Sequence, residues 1–107
     1  MSWAIKKEDK FTVYKPVNLS EEELIHAFGL LDPMDHKIVD CSEVCFTEGV
    51  KKIVSQNYEA HLEQHRSFIV VVETKEAMEA LEELFIAVPT ISEAIDYIYM
   101  EELERNI

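Results

Sequence analysis

Apolar and polar residues alternate near the start of the chain, with Trp3 and Ile5 before the polar run "KKEDK" and Phe11 and Val13 after it. A period of two on both sides of a polar turn predicts a hairpin. The period then lengthens. In "NLSEEELIHAFGLL" residues Leu24, Ile25, Phe28 and Leu31 fall on one stripe of a helix. Ser20 and Glu23 have the spacing of a capping box, and acids fill the first turn. "LDPMD" ends this helix, because a proline disfavours helical backbone at the residue before it.

"KIVDC" then reads as a short strand, followed by a helix from Thr47 to His65. That helix spaces Val50, Ile53, Val54, Asn57, Tyr58 and Leu62 along its inner side. "SFIVVV" is an unbroken apolar run, the mark of a strand covered on both faces. "TKEAMEALEELF" is helical with Met78, Leu81 and Phe85 inward, and "IAV" is a last short strand. Thr90 and Glu93 repeat the capping-box spacing and open a final helix through about Leu103. Strands alternating with helices require parallel neighbours joined by crossovers. The expected fold is therefore α/β, a mixed sheet with an N-terminal hairpin and parallel core strands, flanked by about four helices. Val39, Phe68, Val70 and Val72 should lie in adjacent parallel strands.

Composition narrows this further. The 107 residues suit one domain over residues 1–107, and 48% hydrophobic content supports an ordinary core rather than disorder. The net charge of −12 repels phosphate backbones and anionic lipid heads, so neither nucleic acid nor a membrane is an expected partner. The N-terminus has no apolar core of signal-peptide length, and two cysteines suit a reducing compartment, so the expected location is cytoplasmic.

Three constellations could carry chemistry. His61 and His65 are four apart on the predicted helix and could share a zinc ion, but "HLEQH" lacks the glutamate of a zinc protease and no third ligand is near in sequence. The plainer reading is two solvated histidines near a helix C-terminus. Cys41 and Cys45 are separated by three residues, unlike the two of a redox or zinc pair, and Cys41 in a strand would pack as a small apolar side chain. A Cys–His pair with His26 or His36 is a catalytic alternative. Two glycines in the whole chain leave no phosphate-cradling loop, and no cofactor is expected. Lastly, "IDYIYMEELERNI" is apolar on more than one face. Further burial within the chain is favoured there over a partner surface.

From residue 37 onward the chain resembles a STAS domain, the fold of bacterial anti-sigma factor antagonists. "IVDCSEVCFTEGV" repeats that family's strand, its Asp-x-Ser-x-Val and the glycine before an apolar helical residue. "SFIVVV", "EALEELF" and "VPTISEAIDYI" follow in the family's order. The resemblance implies a non-enzymatic signalling domain with a protein partner, such as an anti-sigma factor or a serine-kinase-like protein. A homodimer remains open. It also implies a regulatory, partner-binding loop made here by Asp40, Ser42, Thr47, Glu48 and Gly49. In the family, the serine directly before that glycine accepts a phosphoryl group. Here the position holds Glu48, preceded by Thr47, and the loop is shorter. Two readings follow for Glu48. It is a permanent anion in the field of a helix N-terminus that Thr47 caps, or an ordinary first-turn acid. The hydroxyls of Thr47 and Ser42 remain candidate acceptors.

Overall fold

The computed structural model describes residues 2–105. A hairpin opens it, with strands β1 (Ser2–Lys7) and β2 (Thr12–Val17) paired antiparallel. Helix α1 (Glu21–Gly29) leads to β3 (Lys37–Asp40), α2 (Glu48–Glu63) to β4 (Phe68–Val71), and α3 (Lys75–Leu81) to β5 (Ala87–Val88). Helix α4 (Ile91–Arg105) closes the chain. The five strands lie in the order β1-β2-β3-β4-β5, and every pair after the first is parallel. This is the α/β mixed sheet with four helices that the alternation predicts. Val39 sits opposite Val70 and Lys37 opposite Phe68 across β3 and β4. Val72 lies just beyond β4, yet its N–H still donates to the Val88 carbonyl at 2.9 Å.

The pleat sends alternate residues to two cores. Val39, Phe68, Val70 and Val72 meet α1, α2 and α3 through Leu24, Phe28, Val50, Val54 and Leu81. Ile38, Ile69, Val71 and Val88 meet α4 through Ala94 and Ile98. Burial on both faces is the reason β4 is apolar at every position. Trp3 roofs the first core near α1, edge-on to Phe28 at 5.1 Å and to Tyr14 at 5.8 Å. Each fully buried aliphatic side chain here contributes about 1.5–3 kcal/mol relative to exposure.

Four helix starts are held as the sequence implies. Ser20 and Glu23 form the reciprocal capping box, while Thr47, Thr74 and Thr90 accept from the backbone three residues on. The helix ends differ from expectation. α2 stops at Glu63, not His65, because Gln64 caps it and His65 turns left-handed at φ 57°. The N–H groups of His65 and Arg66 then donate to the Leu62 and His61 carbonyls, closing a Schellman turn without glycine. α3 is likewise shorter than its helical pattern and ends at Leu81, with Phe85 still buried.

Two assignments of inner faces need correction. Leu62 is exposed, and the buried stripe of α2 runs Val50, Val54, Asn57 and His61. The outer face of α4 gains no internal cover, since Tyr97, Tyr99, Met100 and Leu103 are exposed. No helix of the described residues is long and apolar enough to cross a membrane.

Candidate functional site

The carboxyl ends of parallel strands are where α/β folds place ligand sites, because helix N-termini and loops converge there. At this end a cleft of about 430 Å³ opens between the segment from β2 to α1 and the loop from β3 to α2. Leu19, Leu24, Val44 and Val50 give it an apolar lining, and Lys15, Glu21, Asp40, Glu43 and Thr47 give it charge and hydrogen-bonding capacity. Asn18, at φ 53°, turns the chain out of β2 toward α1. Asparagine tolerates that conformation better than most residues because its short side chain bonds locally.

Asp40 is the last residue of β3, and its Oδ1 organises the loop. It accepts from the Ser42 N–H at 3.1 Å and from the Ser42 hydroxyl at 2.7 Å. This is an Asx turn with a second bond from the same residue. Thr47 then begins α2. Its Oγ1 accepts from the Val50 N–H at 3.3 Å and donates to Glu21 Oε2 at 3.0 Å. One hydroxyl therefore caps α2 and ties it to the first turn of α1. Glu48 points away from this junction. Its side chain is 93% exposed and pairs with Lys51 at 3.0 Å. Of the two readings of Glu48, the geometry is that of a first-turn acid on the surface, one residue beyond the cap.

Gly49 has a packing reason rather than a conformational one. A Cβ there would stand 3.1 Å from Ile25 Cδ1 and 3.5 Å from Glu21 Oε2, so the glycine lets α1 and α2 approach. Of the five predicted loop residues, Asp40 and Ser42 form one hydrogen-bonded group, Thr47 bonds to α1 and Gly49 packs against it, and Glu48 stands outside both. Pattern reading missed Glu21 as the acceptor for Thr47. The signal available was only its place in an acidic first turn.

The cysteines flank this loop in different states. Cys41 is buried, its N–H bonded to the Val71 carbonyl, and burial with the nearby Asp40 charge drives its thiol far above the usual range. It packs as an apolar side chain, as expected. Cys45 is free, exposed and lines the cleft. His36 sits at the opposite end of β3, where its Nδ1 accepts from the Ser67 N–H at 2.9 Å. Four strand residues, about 13 Å, separate it from the cysteine end.

The predicted histidine pair is not a pair. His65 is exposed beyond the end of α2, whereas His61 is fully buried against Phe68. Its solvated reading is corrected accordingly. Nδ1 of His61 donates to the Asn57 carbonyl at 2.7 Å, since a carbonyl only accepts. Nε2 therefore accepts, and the Lys37 ammonium lies 2.9 Å from it. Burial first, then the Lys37 charge, lowers the His61 pKa from 6.5 to about 4, against an opposing pull from the Asn57 carbonyl. Lys37 itself is fully buried and is satisfied by Asp35, the Asp32 carbonyl and His61, with the Tyr14 ring 5.6 Å away. Asn57 completes the group by donating to the Phe28 and Ile53 carbonyls, each at 3.0 Å. Both His61 nitrogens are thus engaged, and among the described residues no group of three or more His, Cys, Asp or Glu is arranged to hold a metal.

No family model matches the chain. No curated protein is significantly similar to it.

Proposed function

We propose that this protein is a non-enzymatic interaction domain, similar to anti-sigma factor antagonists, whose loop from Asp40 to Gly49 binds a protein partner without a phosphoserine switch. The observation that carries this reading is the double engagement of Thr47, which accepts from Val50 and donates to Glu21. A phosphoryl group on that hydroxyl would remove the donated bond and bring about two negative charges against the Glu21 carboxylate. Ser42 is similarly committed to Asp40. A hydroxyl already bonded to a carboxylate is a poor site for a second anion.

The cleft then works in one charge state. Glu21, Asp40 and Glu43 border it, with Lys15 held 3.4 Å from Glu43. A partner that is neutral or basic at its contact residues suits this rim, as the net charge of −12 also implies. Binding would be constitutive, set by the partner's abundance rather than by modification.

Quantitative affinity capture from the protein's own cells tests this, comparing the wild type with Glu43→Lys. The expected result is one partner retained by the wild type under all growth conditions and lost by the variant. Binding indifferent to the substitution would contradict the reading, as would turnover of a substrate by the purified protein.

A further inference from the structure

Two carboxylates of the loop cleft have no counter-charge. Among the described residues neither Glu21 nor Asp40 forms an ion pair. Their bonds come from uncharged donors. Glu21 Oε2 accepts from the Thr47 hydroxyl, and Asp40 Oδ1 accepts from the Ser42 hydroxyl and N–H. Lys15, the lysine of the lining, is held instead by Glu43, whose side chain is 80% exposed at the rim. The cleft therefore sets three acids against a base that one of them already holds.

The rest of the lining is aliphatic. Leu24 and Val50 are buried, and Leu19 and Val44 are half-buried. A ligand here meets apolar surface as well as charge. The cleft's 430 Å³ is near the small end of ligand sites, about 300–1,000 Å³. One long side chain with its flanking backbone suits it better than a large organic molecule. An anionic tip would meet two unpaired carboxylates, and the helix N-termini that would otherwise attract it are already capped by Ser20 and Thr47. The chemistry that fits is an aliphatic stem with a cationic tip.

We infer that the protein partner anchors itself here with an arginine side chain, an inference that rests on the partner reading above. Its methylenes lie on the leucines and valines, and its guanidinium meets Asp40 and Glu21 at the mouth. The free acceptors favour arginine over lysine. Each carboxylate has one oxygen bonded within the protein, and among the described residues Oδ2 of Asp40 and Oε1 of Glu21 accept no hydrogen bond. These acceptors come from two elements, the end of β3 and the first turn of α1. A planar guanidinium with its fork of N–H donors can serve both, whereas an ammonium is a compact point charge that water holds more strongly.

Cys45, exposed in the same cleft, reports its occupancy, and the buried Cys41 is shielded from reagent. The test is the rate at which neutral iodoacetamide labels Cys45 of the full chain at matched ionic strength. Three probes are compared: Nα-acetyl-arginine methylamide, its lysine counterpart and its uncharged citrulline counterpart. For a dissociation constant of about 1 mM, about 10 mM of the arginine probe should slow labelling about tenfold. The lysine probe should protect less, and the citrulline probe should leave the rate unchanged. Asp40→Asn with Glu21→Gln keeps an acceptor for Ser42 and for Thr47, so the loop is retained, and should abolish the protection. Protection that is absent, indifferent to the probe's charge or undiminished in the variant would overturn the inference. Equal protection by the lysine probe would overturn the choice of arginine. The assay needs no partner, so its failure strikes this inference alone, whereas failure of the affinity capture strikes the partner reading.

Discussion

The two ends of strand β3 hold contrasting polar groups. At its amino end, Lys37, His61 and Asn57 are buried, and each is bonded to a neighbour within the protein. At its carboxyl end, Asp40, Ser42 and Thr47 are also bonded to neighbours, but around an open cleft. The first group has strongly perturbing surroundings yet no access, and so it serves the fold. The second is open to solvent, and so it is the candidate for recognition. The lowered pKa of His61 alone would have pointed to the closed end. Access to a partner distinguishes the two.

Substitutions should separate the ends by the size of their effect. The largest loss belongs to Lys37→Ala. Removing one member of a buried, charge-assisted group leaves Asp35 and His61 without their partner, and about 3–5 kcal/mol of stability should disappear in urea melts. Lys37→Met keeps most of the apolar stem and should lose less. Equal losses would mean that the apolar stem contributes nothing and that the ammonium group accounts for the whole effect.

Acid should come next, through His61. Its folded pKa of about 4 lies below the unfolded value of 6.5, so the unfolded chain takes up the proton first. The neutral ring's contribution is fully present above pH 6.5 and is lost as the pH falls to about 4. Across that window the loss amounts to about 3 kcal/mol. Urea melts of wild type and His61→Gln over this range should show a steep slope in the first and a flatter one in the second. Parallel slopes would place the titration elsewhere.

At the other end the effects are smaller. Thr47→Ala should cost about 1 kcal/mol for the lost cap. Gly49 measures how closely α1 and α2 meet. In Gly49→Ala the gain in helix propensity, about 1 kcal/mol, is offset by crowding against Ile25, whereas Gly49→Leu should be clearly destabilising. Similar melts for both variants would remove the close approach as the reason for the glycine. Glu48→Lys should have the least effect of all, fading as salt is added, because the side chain stands in solvent. A large loss there would return Glu48 to the centre of the loop.

The fold was largely legible because its signals are local. The alternation in the hairpin, the apolar run of β4, and the Ser or Thr before each helix all act within a few residues. Helix ends were less so. No glycine or proline marks the stop after Glu63, and His65 takes the left-handed position instead. His61 was misread because its burial depends on Lys37, 24 residues earlier in sequence, supplying a donor from the next element. Nothing in "HLEQH" encodes that partner. The loop residues could be named from the sequence, yet the bond from Thr47 to Glu21 spans 26 residues and joins two helices. Long-range polar partners of this kind are fixed by packing, which periodicity does not describe.

The central claim is that the open end of the sheet works with a fixed charge. Phosphosite mapping with intact-mass analysis, on protein isolated from its own cells under several growth conditions, tests it most directly. The account predicts that Thr47 and Ser42 carry no phosphate under any of them. Substantial phosphate on either residue, rising and falling with growth conditions, would contradict it.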